Sequence, residues 1–118
     1  MSEWYSRPVL FVSDVERSLS LYMGQLGFSR SWQHDEGARR IVAQVERQGC
    51  ELILSSQSPE KVGRALIFIS LESEVLLVLC ADLEARGVPA KDGHWGYPVM
   101  IVQDPDGNDL YFPPPVAG

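Results

Sequence analysis

The sequence predicts an α+β fold built twice from one strand, helix and three-strand unit of about sixty residues. Three observations lead there. Each half opens on a short β-favouring run, passes into a one-sided helical stripe and continues in strand-length apolar runs. Corresponding residues recur at near-constant spacing: Val15 with Val75 and Gly27 with Gly87 are 60 positions apart, and the turn glycines Gly49 and Gly107 are 58 apart. Each turn glycine is flanked by apolar runs, most clearly in Val99 to Phe112, where Asp104-Pro105-Asp106-Gly107-Asn108 joins two strands through residues that preset φ, permit φ > 0 or bond nearby backbone.

Taken in order, Pro8 opens strand Val9 to Val12, a position where its missing N–H is tolerated. Ser13 and Asp14 are helix N-cap candidates ahead of the stripe Val15, Leu19, Tyr22 and Leu26, which Gly27 closes. Phe28 to His34 pairs with Ile41 to Val45 across Asp35-Glu36-Gly37. Gln48-Gly49 turns the chain into Glu51 to Leu54, and Ser55 to Gly63 reads as a linker. The second unit repeats this with strand Ala65 to Leu71, Ser73 as cap, helix Val75 to Arg86 and Gly87 as its stop. Strands Val88 to Lys91, Val99 to Gln103 and Leu110 to Phe112 follow, ended by three prolines. The chain reads as a single domain, 1–118, of two modules at about 7–57 and 63–113.

At 118 residues and 45% apolar composition the chain can bury a core, and its 22% of charged residues fits a folded globular protein. A net charge of -6 without a Lys/Arg cluster argues against nucleic acid. No apolar run reaches membrane-spanning length and the N-terminus lacks signal-peptide character. Cys50 and Cys80, without CxxC spacing, read as buried free thiols in a reducing compartment, so a cytoplasmic location is expected. Helix Val75 to Arg86 is apolar over most of its circumference from Val75 to Ala81. It should be buried on more than one side, which in so small a chain predicts a homodimer interface. Trp4 and Tyr5 are too apolar for a solvated tail and add to that expectation.

The stretches Pro8-Val-Leu-Phe-Val-Ser-Asp-Val-Glu-Arg-Ser-Leu-Ser-Leu-Tyr22, Leu26-Gly27-Phe28, Leu83-Glu-Ala-Arg-Gly-Val-Pro89 and Asp104 to Asn108 resemble the glyoxalase/bleomycin-resistance/dioxygenase group, the vicinal oxygen chelate superfamily. The likeness spans nearly the whole chain. It implies two βαβββ modules curving sheet around a cavity, usually with paired subunits completing it, and a first strand that some relatives exchange between subunits. Metal-using members take His, Gln or Glu ligands from the first and last strands of each module. The matching positions here are Arg7, Ile53, Leu66 (or Arg64, if the strand is shifted) and Tyr111. A fixed cation, two aliphatic groups and a phenol do not make a divalent-metal site, so no metal and no other cofactor is expected.

If those positions mark the inner face, alternation places Arg7, Val9 and Phe11 on it, with Glu51, Ile53, Leu66, Phe68, Asp109 and Tyr111, while Leu10, Val12, Leu52, Leu54, Ile67, Ile69 and Leu110 face the helices. Trp32 and Trp95 are placed at the cavity mouth, Trp95 within a Gly-bounded flap, Asp92 to Tyr97. The expected ligand-binding set is Arg7, Phe11, Trp32, Glu51, Ile53, Phe68, Trp95, Asp109 and Tyr111, with no catalytic residue. This favours a metal-free small-molecule binder of the bleomycin-resistance type that sequesters an antibiotic-like, planar or cationic ligand. The alternatives are a glyoxalase-like lyase or dioxygenase with an atypical metal site, and a structural dimer module with a vestigial cavity.

Overall fold

The computed structural model describes residues 5–94, 96 and 98–113. In chain order the elements are β1 (Val9–Phe11), α1 (Val15–Gly24), β2 (Ser29–Glu36), β3 (Arg39–Arg47), β4 (Cys50–Ser55), a 3₁₀ turn (Pro59–Lys61), β5 (Leu66–Phe68), α2 (Ser73–Ala85), β6 (Lys91–His94), β7 (Pro98–Gln103) and β8 (Asp109–Phe112). They form two four-stranded mixed sheets of identical topology, β1-β4-β3-β2 and β5-β8-β7-β6. In each, the first strand pairs parallel to the last and the other pairings are antiparallel. A parallel first pair requires a crossover, and the helix of each module supplies it. The repeated βαβββ plan expected from the spacing is therefore the plan of the fold.

Local chemistry sets the boundaries. The Asp14 carboxylate caps α1 by accepting from the Arg17 amide at 3.3 Å. The helix stops at Gly24, a little before the stripe runs out at Leu26, and Gly27 follows at φ 76°. Helix α2 takes Glu72 as its N-cap, not Ser73, which is its first helical residue. The strand expected over Val88 to Lys91 lies further on, at Lys91–His94. Val88 is buried in the core instead, and the edge strand beyond it is largely exposed. Asp92 to His94 are thus strand residues rather than the start of a flap. Gly93 is needed there because a Cβ would come within 2.3 Å of Ile101 Cδ1 on β7.

Alternation sorts the strands cleanly. Leu10, Val12, Leu52, Leu54, Ile69, Val102, Leu110 and Phe112 are buried, and with α1 and α2 they form one apolar cluster across both modules. The other faces of both sheets are more open. From α2 the cluster takes Leu76, Leu79 and Leu83, while Leu77 and Val78 stand 55% and 57% exposed. Helix α2 is therefore covered on one side among the described residues, and Leu77 and Val78 stand on the side for which the sequence suggested a partner subunit. Among the described residues no helix is long and apolar enough to cross a membrane.

The turn Asp104 to Asn108 does more than join β7 to β8. Asp104 Oδ1 accepts from the amides of Asp106 and Asn108, both at 2.9 Å, and Oδ2 accepts from Tyr22 Oη at 3.1 Å and Asn108 Nδ2 at 2.9 Å. Asn108 Nδ2 also donates to the Phe11 carbonyl at 3.1 Å, and Asn108 Oδ1 accepts from the Ala65 amide at 3.0 Å. At the rim, Asp106 Oδ1 accepts from Ser13 Oγ and Arg17 Nη2. The turn therefore knots α1 and β1 to the second sheet through the buried polar groups of Tyr22, Asp104 and Asn108, while Asp106 Oδ2 is buried without a hydrogen-bond partner among the described residues. Burial first, and the neighbouring Asp104 carboxylate second, hold the Tyr22 phenol far above the usual tyrosine range, so it is a neutral donor.

Candidate ligand-binding site

The open face of the first sheet is built by register. Val9 lies beside Ile53, Ile53 beside Gln44, and Gln44 beside Trp32, so one row crosses all four strands. The next row toward the β3–β4 turn holds Glu51 beside Glu46, and Arg7 precedes β1 on the same side. A shift in the β2–β3 register between Arg30 and Trp32 brings the indole onto this face.

Gln44 sits at the centre, only 3% exposed. Its Oε1 accepts from Trp32 Nε1 at 2.8 Å and from Arg7 Nη1 at 3.1 Å, and its Nε2 donates to Glu51 Oε2 at 2.7 Å. One amide thus uses both of its ends to fix an indole, a guanidinium and a carboxylate. Trp32 still has 44% of its surface exposed, so its ring is oriented by a bond at one edge and available to stack. Two cations lie over rings at the β1 edge: Arg7 Cζ is 5.3 Å from the Tyr5 centroid and Lys61 Nζ 5.4 Å from that of Phe11. The face carries flat apolar surface, two cations and two half-buried carboxylates, Glu46 and Glu51.

Of the residues expected at the site, Arg7, Trp32 and Glu51 meet around Gln44, with Ile53 beside Gln44 in the same row and Phe11 next along β1. Gln44 itself was not anticipated. The remaining described ones lie on the second sheet, where Leu66 pairs with Asp109 and Phe68 with Tyr111. Leu66 is exposed, on the side of its strand opposite to the buried Leu110 row. Asp109 Oδ1 accepts from Gln103 Nε2 at 3.1 Å. Trp95 and Tyr97 of the expected flap lie outside the described residues, as does Trp4. A cavity of about 560 Å³ is lined by Glu51 and Phe68 together with residues of both modules.

Metal use was tested on the four positions that the family pattern points to. Arg7, Ile53, Leu66 and Tyr111 stand there, and the structure engages Arg7 as a hydrogen-bond donor to Gln44. This donor set does not fit a divalent ion. Among the described residues no three His, Cys, Asp or Glu side chains are grouped so as to hold one elsewhere. Cys50 and Cys80 are free and half-buried. Burial raises both thiols above their ordinary pKa, and for Cys50 the carboxylates of Glu46 and Glu51 add to it. Neither is poised as a nucleophile.

TnmS3, an antibiotic binding protein from Streptomyces sp. CB03234, is 25% identical over 98% of this chain and 99% of its own, with a TM-score of 0.72. A glyoxalase/bleomycin resistance protein from Catenulispora acidiphila is 24% identical, covering 93% and 96%, with a TM-score of 0.74. The bleomycin-binding protein of Streptomyces verticillus, solved with copper(II)-bleomycin, is 22% identical over 100% and 99%, with a TM-score of 0.69, and shares the fold. No curated protein sequence gives a match. The family model of the Glyoxalase/Bleomycin resistance protein/Dioxygenase superfamily matches residues 4–112, and the chain belongs to that superfamily.

Proposed function

We propose that this protein binds a planar, antibiotic-like small molecule on the open face of its first sheet and sequesters it without a metal and without chemical change. The observation that carries the reading is the Arg7–Gln44–Trp32–Glu51 cluster. Three side chains from separate elements are held in fixed orientation by one buried amide, which lowers the ordering cost of binding. Trp32 offers the stacking plane and Arg7 an oriented donor for a carbonyl or anionic group. A positive group on the ligand, as the net charge favours, belongs at Glu51 and away from Arg7 and Lys61. The antibiotic-binding relatives support this choice over a lyase or dioxygenase, and so does the poor metal set.

The same reading pairs two copies through α2, whose Leu77 and Val78 are exposed side by side. Light scattering at micromolar concentration should give the dimer mass, and a monomer would refute the pairing. Sequestration is tested by incubating the protein with metal-free bleomycin and analysing the released compound by mass spectrometry. Recovery unchanged agrees with the reading; a mass shift absent from the protein-free control overturns it in favour of an enzyme.

A further inference from the structure

The repeat gives the junction between the modules two corresponding ends, and the chain treats them differently. At one end Asn108 closes the gap, its amide reaching both the Phe11 carbonyl and the Ala65 amide, with Tyr22 bonded in beside it through Asp104. At the other end the residue 58 positions earlier is Cys50, and the residue 60 positions beyond Tyr22 is Asp82. A thiol has neither the reach nor the donors of the Asn amide. The 560 Å³ cavity occupies this second end, and Cys50 lines it.

Two arginines frame the space. Arg47 Nη1 donates to the Leu26 carbonyl at 2.6 Å and its Nη2 to Asp82 Oδ2 at 3.1 Å, and Arg86 Nη1 donates to the Gly24 carbonyl at 2.9 Å. These bonds tie the end of α1 to β3 and α2 beside the cavity, of which Arg47 is a lining residue. The cavity walls include Leu26, Phe28, Leu52, Ile67, Val75 and Leu79. At the rim the Arg47 charge is met by Asp82 and the Glu51 carboxylate accepts from Gln44, and Glu72 is the third charged residue that borders the space. A volume of this size with largely apolar walls suits a small molecule.

We propose that this inter-module cavity is a second small-molecule site, taking an uncharged, apolar compound independently of the open face of the first sheet. The probe is N-phenyl-1-naphthylamine, uncharged and fluorescent in apolar surroundings. It should bind the full chain with micromolar affinity. Val75→Trp, which fills the space, should weaken it by at least about tenfold, while Trp32→Ala, on the open face, should leave it unchanged. On the wild-type protein, saturating probe should slow alkylation of Cys50 severalfold and spare Cys80, which lies outside the cavity. The proposal is overturned by absence of probe binding, by equal binding to Val75→Trp, by unprotected Cys50, or by loss of binding in Trp32→Ala. The Cys50 measurement decides the matter even where Val75→Trp does not fold. Failure of antibiotic binding on the open face would leave each of these outcomes readable.

Discussion

Replacing Gln44 with leucine removes the centre of the open-face cluster while nearly conserving volume. Three hydrogen bonds are lost, at 2.7, 2.8 and 3.1 Å, two of them to charged partners. In buried surroundings a neutral bond contributes roughly 0.5 to 1.5 kcal/mol and a charged one roughly 1.5 to 3. Arg7 and Trp32 are accessible enough to recover water, and Glu51 is half-buried, so much of that sum is returned by solvation. Leucine also gains from burying an apolar side chain where an amide stood. The expected net loss is about 1 to 3 kcal/mol, or roughly 5 to 15 °C in Tm for a domain of this size. Urea denaturation should show a lower midpoint at unchanged slope. Gln44→Glu separates the contributions: it keeps two oxygens for Arg7 and Trp32 but sets a second carboxylate against Glu51. It should therefore be less stable than wild type at neutral pH, by like-charge repulsion at short range. A Gln44→Leu protein with wild-type midpoint and wild-type tryptophan emission would refute the claim that this amide organises the face.

Two glycines and one phenol give further tests. Gly63 lies at φ 74°, and a Cβ there would meet the Asp106 carbonyl at 2.1 Å, whereas Gly37, at φ 64°, has open space around it. Gly37→Ala should cost about 1 to 2 kcal/mol from backbone conformation alone and Gly63→Ala clearly more; equal midpoints in thermal melts would contradict the packing described. Because the Tyr22 phenol is held far above its ordinary pKa, its contribution is complete below about pH 10, where an unfolded tyrosine ionises, and is lost as pH rises beyond it. Tyr22→Phe should be destabilised by about 1 to 2 kcal/mol at pH 7 with a flatter alkaline limb, and an unchanged pH profile would argue against the buried bond. Elemental analysis of purified protein should find no stoichiometric divalent metal and a chelator should leave Tm where it was; one tightly bound equivalent would overturn the reading of the four ligand positions.

The sheets were legible because their residues obey local rules. Leu10, Val12, Leu52, Leu54 and Leu110 alternate with residues that remain on the open side, and turn glycines mark where each strand must end. The Asp14 cap follows from side-chain chemistry alone. Gln44 was missed because a glutamine in a strand reads as a solvated residue, and only the packing of Trp32, Arg7 and Glu51 over it makes it buried. A signal was nevertheless present: counting back from the Gln48-Gly49 turn pairs Arg47 with Cys50 and puts Gln44 opposite Ile53, already expected on the open face. The sixth strand was misplaced because Val88 looked like a strand residue, while the edge strand itself, Lys91–His94, carries polar groups and a glycine. Local apolarity marks what is buried, and here a loop residue was buried and a strand was not.

The central claim is that a planar ligand is held on the open face by Trp32 and Arg7, both fixed by Gln44. Isothermal titration of metal-free bleomycin into wild-type protein, Trp32→Ala and Gln44→Leu tests it most directly. The account predicts saturable one-site binding to wild type, weakened by about tenfold or more in both variants. Absence of binding by wild type, or affinities in the two variants equal to it, would contradict the account.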